Sequence, residues 1–119
     1  MEKINLGEKF KLFDDYWSPK IAAELNGQQV KLVKLKGEFV WHCHEAEDEL
    51  FLVVMGRLLI RFRDREVWLG AGELIVIPAG VEHLPVAPEE AHVLLFEPAS
   101  TLNTGDAGGE RTVADLGRV

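Results

Sequence analysis

The chain has 119 residues, of which 47% are hydrophobic and 28% charged, the profile of a single soluble globular domain. Its longest apolar stretches, Leu50 to Gly56 and Leu74 to Val81, hold seven and eight residues, against about 18 for a membrane helix. A net charge of −7 argues against nucleic acid or an anionic membrane as partner, and one cysteine, Cys43, excludes a disulfide framework or a Cys-based zinc finger. The first residues show no signal-peptide core, so the expected location is cytoplasmic.

Charge is unevenly spread. Residues 1–36 carry seven Lys and five acidic residues, whereas residues 37–99 carry four Arg and twelve acidic residues. All four histidines lie in that acidic middle. A solvated acidic surface and a cation-attracting field both account for it.

Residues 8–17 read as either a short helical turn or an edge strand, and Pro19 stops a helix there. Ile21 to Leu25 and Gln28 to Lys36 flank Asn26-Gly27, the strongest short hairpin signal. The second run is apolar on both parities, which implies a bulge or burial on both faces. From Gly37 the chain reads as short strands between turn residues: Phe39–His44, Glu49–Met55, Leu58–Phe62, Glu66–Leu69, Leu74–Ile77, Val86, and Ala91–Phe96. Such a series predicts an all-β sandwich or barrel in residues 1–99, with N-terminal strands in 1–36. Residues 100–119 hold four Gly and many polar residues, and are expected to be extended or mobile, or to fold back over the barrel mouth.

The chemistry concentrates in Trp41-His42-Cys43-His44. On a strand, His42 and His44 point to one face, with Cα atoms about 6.6 Å apart, so two imidazoles can converge on a cation. Cys43 points the other way and is read as a small packed side chain. A return of the chain through Glu45-Ala46-Glu47-Asp48 brings Glu49 beside the pair, and His83 follows the Pro78-Ala79-Gly80 turn. Three imidazoles and a carboxylate suit Fe, Mn, Ni, Cu or Zn and leave open positions for substrate, O₂ or water. His92 is read as an outward or packed histidine. If His42 and His44 face inward, parity turns Phe39 and Trp41 outward, towards a dimer face.

The spacing resembles the cupin superfamily. Its first motif is met by Gly37, His42, His44, Glu49 and Gly56, and its second by Gly72, Pro78, Gly80 and His83. Together they span residues 37–87. Two departures stand out: four residues rather than five separate Gly37 from His42, and Ala87 occupies the position of a family Asn. The resemblance implies a single-domain jelly-roll barrel (a double-stranded β-helix) with a divalent transition metal at His42, His44, Glu49 and His83, and a homodimer. It implies a metal-dependent enzyme acting on a small organic molecule. Dioxygenase-like chemistry is favoured over isomerisation, because a sugar phosphate would want cations at the cavity. The core offers only Arg57, Arg61, Arg63 and Arg65, around a hairpin. The alternative is a non-catalytic module that binds or senses a metal or small ligand.

Overall fold

A computed structural model describes residues 1–119. Asn5 opens the chain's one helix, α1 (Leu6–Phe10), by accepting a hydrogen bond from the Glu8 N–H on its side chain. Residues 8–17 therefore resolve as the end of a helix and an irregular segment. Eight strands follow: β1 (Lys20–Leu25), β2 (Gln28–Glu38), β3 (Glu49–Met55), β4 (Arg57–Phe62), β5 (Glu66–Gly70), β6 (Leu74–Ile77), β7 (His83–Pro98) and β8 (Gly117–Arg118). The chain is all-β, with a jelly-roll layout.

The Asn26-Gly27 hairpin forms as expected between β1 and β2, with both residues at positive φ (52° and 78°). Such a turn matches the right-handed twist of its strands. β2 is covered on both faces, which explains its apolar residues on both parities. Val33 and Leu35 enter the main core, while Leu32 packs under Phe10 and Phe13 on the outside.

β7 organises the fold. Val86 and Ala91–Phe96 were expected as separate strands, because Pro85, Pro88 and two glutamates look like breakers. They belong instead to one 16-residue strand. Its first part pairs with β4 and its second with β3, while β2 runs beside both parts with a register shift between them, antiparallel in each case. The strand thus passes from one sheet layer into the other, with the breaker residues at the crossing. Between the layers lies a core of 14 buried side chains, among them Phe51, Val53, Leu58, Ile60, Ile77 and Val93. Burial of this kind contributes about 1.5–3 kcal/mol per large aliphatic side chain.

Phe39–His44 departs from the expected strand. It holds only one isolated bridge, His42 to His83, beyond the end of β2. The irregular backbone breaks the parity argument. Phe39 turns inward with His42, is buried, and stacks on Trp17 with ring centres 4.7 Å apart. Phe39 therefore belongs to the core and not to an outer dimer face. Trp41 does face outward, but Arg63 covers it, with the guanidinium carbon 3.8 Å from the ring centre.

The C-terminal segment folds back. Gly117 and Arg118 pair in parallel with Lys20 and Ile21 on β1, and Asp106 meets Cys43 beside the paired histidines. No helix is long and apolar enough to cross a membrane.

Candidate metal centre

Four ligand-competent side chains meet inside the barrel. His42, His44, Glu49 and His83 are all buried, and one ligand atom from each lies within 4.8 Å of the others. Their positions follow from the fold. The His42 N–H donates to the His83 carbonyl at 3.1 Å and the His83 N–H returns to the His42 carbonyl at 2.9 Å. The first residue of β7 is thereby locked to the irregular segment. The ring centres of His42 and His83 are 4.2 Å apart, and those of His42 and His44 5.1 Å.

The two turns act together. The Gly80 N–H donates to the His44 carbonyl at 2.8 Å, and the Ala79 N–H donates to Asp48 Oδ1 at 2.8 Å. The loop after His44 therefore holds the Pro78-Ala79-Gly80 turn that delivers His83. Gly80 sits at φ 83°, a conformation side-chain-bearing residues rarely adopt. Glu49 opens β3 opposite Ile77, so its carboxylate reaches the same point from the facing strand.

Hydrogen bonding sets the imidazole tautomers. Nδ1–H of His42 donates to the Val40 carbonyl and Nδ1–H of His83 to the Val81 carbonyl, each at 2.9 Å. A carbonyl oxygen only accepts, so both rings carry their proton on Nδ1 and aim an Nε2 lone pair into the site. His83 Nε2, both ring nitrogens of His44, and Glu49 Oε1 are buried with no hydrogen-bond partner. His44 Nε2 and His83 Nε2 approach Glu49 Oε1 at 3.2 and 3.4 Å. Several orphaned polar atoms converging on one point is an arrangement that costs stability unless a cation satisfies it. The donor set fits a divalent transition ion, and the cluster can hold one.

Electrostatics agree with that fit. Burial, with His83 beside it, pushes His42 down to about 4, so it is neutral and ligand-ready at ordinary pH. Burial alone would raise Glu49, but the imidazoles of His44 and His83 hold its carboxyl well below the usual range. Cys43 stays outside the cluster, half-buried and turned to the C-terminal segment. Its thiol meets Asp106 at 3.4 Å, and burial and that carboxylate push it up.

A second layer escaped the sequence reading. Glu97 and Lys31, both buried, form an ion pair at 2.8 Å within the barrel, and the Lys31 ammonium also donates to the Thr101 carbonyl. Burial and the neighbouring Glu49 carboxylate push Glu97 well above the usual range, and Lys31 only partly offsets them. Nothing in the local sequence marks this pair, since each residue sits in an otherwise apolar run.

Beside the cluster runs a narrow cavity of about 30 Å³, room for about two waters. Its walls include Trp17, Phe39, Phe51 and Leu95, its polar end is His42 and Glu49, and Asn103 of the C-terminal segment closes it. Arg57, Arg61 and Arg63 do not line it; they stack on Trp68 and Trp41.

The chain is a small jelly-roll barrel whose two histidines before one turn, glutamate after it and third histidine beyond a Pro-x-Gly turn form a cluster that could hold a metal ion. Residues 29–97 match the Cupin domain family, and the chain belongs to it. In structure it is similar to a cupin-2 domain containing protein from Shewanella frigidimarina NCIMB 400, at 54% identity and a TM-score of 0.79, covering 80% of this chain and 93% of that one. It is also similar to protein NMB1881 from Neisseria meningitidis, at 32% identity and a TM-score of 0.76, covering 82% and 100% of the two chains. In sequence it is 44% identical over 62 residues to YdbB of Bacillus subtilis (strain 168), a match spanning 51% of this chain and 55% of YdbB.

Proposed function

We propose that this cupin is a metal-dependent enzyme acting on a small organic molecule. His42, His44, Glu49 and His83 would hold one divalent transition metal ion, Fe, Mn, Ni, Cu or Zn. The observation that carries this reading is the convergence of four buried ligand-competent side chains, three of which, His44, Glu49 and His83, bring buried polar atoms with no hydrogen-bond partner. Such an ion supplies Lewis-acid or redox chemistry at a position left open to substrate. The chain's own part is to fix the tautomers through Val40 and Val81, to exclude water with Phe39, Phe51 and Leu95, and to keep Glu49 ionised.

The cavity favours oxygenase-like chemistry over sugar-phosphate isomerisation. Its walls are apolar and it admits only a slender group, which suits O₂ and one end of an organic substrate. The experiment is oxygen uptake by the iron-loaded chain across a panel of small organic acids and phenols. Turnover absent from Glu49→Ala and His83→Ala supports the enzyme. The same narrow cavity favours a second reading, a non-catalytic module that binds or senses a metal or small ligand. That module would show affinity without product.

The assembly we favour is a homodimer. Across the outer face, Val76, Leu50, Phe96 and Val30 align on four adjacent strands, and so do Leu74, Leu52, Leu94 and Leu32. Leu74 and Val76 are 55% and 51% exposed. The Leu32 end of this face is covered by Phe10 and Phe13, so the open part is the side of Leu74 and Val76, and an exposed apolar patch there can pair with its own copy across a two-fold axis. A cytoplasmic location suits the one cysteine, which has no partner in the chain.

A further inference from the structure

The C-terminal segment carries a cation that the metal centre alone does not explain. The Arg111 guanidinium carbon lies 5.8 Å from the Trp17 ring centre and 5.6 Å from the Phe39 ring centre. Both rings line the cavity beside the cluster, and the Phe39 ring meets the His42 ring edge-on at 5.4 Å. Phe39 therefore bridges Arg111 to the metal-site histidines. No Lys or Arg is among the cavity's lining residues. Lys31, the cation inside the barrel, is tied to Glu97.

Arg111 is held by its backbone and free at its side chain. The Asn103 amide donates to the Arg111 carbonyl at 2.7 Å, and Asn103 Oδ1 accepts from the Val113 N–H at 2.9 Å. The Thr104 and Thr112 hydroxyls bond at 2.6 Å and complete the brace. The guanidinium forms none of the chain's ion pairs, unlike those of Arg61, Arg63 and Arg118. It is exposed and lies over the Trp17 and Phe39 rings.

We infer that the ligand of this site is a small carboxylate, with its charged end on Arg111 over the Trp17 and Phe39 rings and its other end beside His42 and Glu49. This rests on the metal-site reading above and adds the substrate class. A single guanidinium offers a flat pair of N–H donors that matches the two oxygens of a carboxylate. A phosphoryl dianion would call for a second cation, and no other Lys or Arg lies over the Trp17 and Phe39 rings. The aromatic pair beneath Arg111 fixes its plane and gives the ligand's carbon chain an apolar wall.

The test is calorimetric titration of the full chain loaded with cobalt(II), with metal content measured on each sample. The probes are 3-hydroxypropionate, 4-hydroxybutyrate and 5-hydroxyvalerate, each beside its neutral amide. At least one acid is expected to bind about tenfold tighter than its amide, a preference that Arg111→Gln erases and Arg111→Lys keeps in part. Metal content is expected to be the same in all three chains. Equal affinity for acid and amide, an undiminished preference in Arg111→Gln, or no binding of any acid would overturn the inference. Wild type that takes up no cobalt would instead sink the metal-site reading, and titration of the metal-free chain would still read the Arg111 preference.

Discussion

Cys43 and Asp106 clasp each other between the paired histidines. The Cys43 N–H donates to Asp106 Oδ1 at 2.9 Å, and the Asp106 N–H donates to the Cys43 carbonyl at 3.0 Å. The C-terminal segment is thereby fastened to the residue that separates His42 from His44. The neighbouring Gly105 makes the approach possible, since a Cβ there would overlap the Cys43 carbonyl oxygen. Gly105 also sits at φ 52°, where a side chain is disfavoured.

Gly105→Ala should therefore loosen the clasp. The expected cost is about 1–3 kcal/mol from overlap and backbone strain. Urea unfolding would measure it, and amide exchange should show lost protection around Asp106 and Ala107. Unchanged stability and protection would mean that the segment does not depend on this contact.

The Lys31–Glu97 pair gives a separate prediction. Lys31→Met strips buried Glu97 of its ion-pair partner; its carboxyl, already pushed well above the usual range, is expected to take up a proton, and the chain should lose about 1–3 kcal/mol. Adding Glu97→Gln should recover most of that loss, because the charge that needed Lys31 is gone. Chemical denaturation of the single and double variants decides it, and a double variant no more stable than Lys31→Met would contradict the account.

Acid should weaken the metal-free fold through His42. Its folded value is about 4, below the ordinary 6.5. The unfolded chain therefore takes up this proton first as pH falls. Stability from this group is full above pH 6.5 and is lost between there and about pH 4, on the order of 3 kcal/mol. Melting of the metal-free chain across that window should show the slope, and His42→Gln should flatten it. An equal slope in the variant would assign the acid sensitivity elsewhere.

Placing a charge on the apolar rows tests the assembly. Leu74→Glu with Val76→Glu should turn a dimer into a folded monomer, since both side chains are exposed in the isolated chain and their loss leaves its core intact. Light scattering after size exclusion reads the mass. A wild-type monomer, or a dimer that survives both glutamates, would move the interface or remove it.

The four clustered residues were readable because each depends on short-range geometry: His42 and His44 two apart, Glu49 after a tight return, His83 after Pro-x-Gly. Phe39 was misplaced because alternation presumes a regular strand, and the backbone from Phe39 to His44 is not one. β7 was read in pieces because Pro85 and Pro88 mimic breaks that the strand absorbs where it changes layers. Trp17, Asn103 and Arg111 carry no local signal at all. Trp17 reaches the cavity from before β1, held by the Lys34 and Lys36 carbonyls of β2. Asn103 reaches it, with Arg111 over the Trp17 and Phe39 rings, through the return of the C-terminal segment; neither periodicity nor spacing encodes these long-range contacts. Lys31 and Glu97 were hidden for the same reason, each finding its partner across β2 and β7.

The chemistry proposed for this barrel depends on His42, His44, Glu49 and His83 holding one metal ion. Elemental analysis of the untagged chain tests it most directly, with wild type and a His42→Ala/His83→Ala variant compared after reconstitution and dialysis. Wild type is expected to hold about one transition metal ion per chain and the variant almost none. Equal metal in both proteins, or none in wild type, would contradict it.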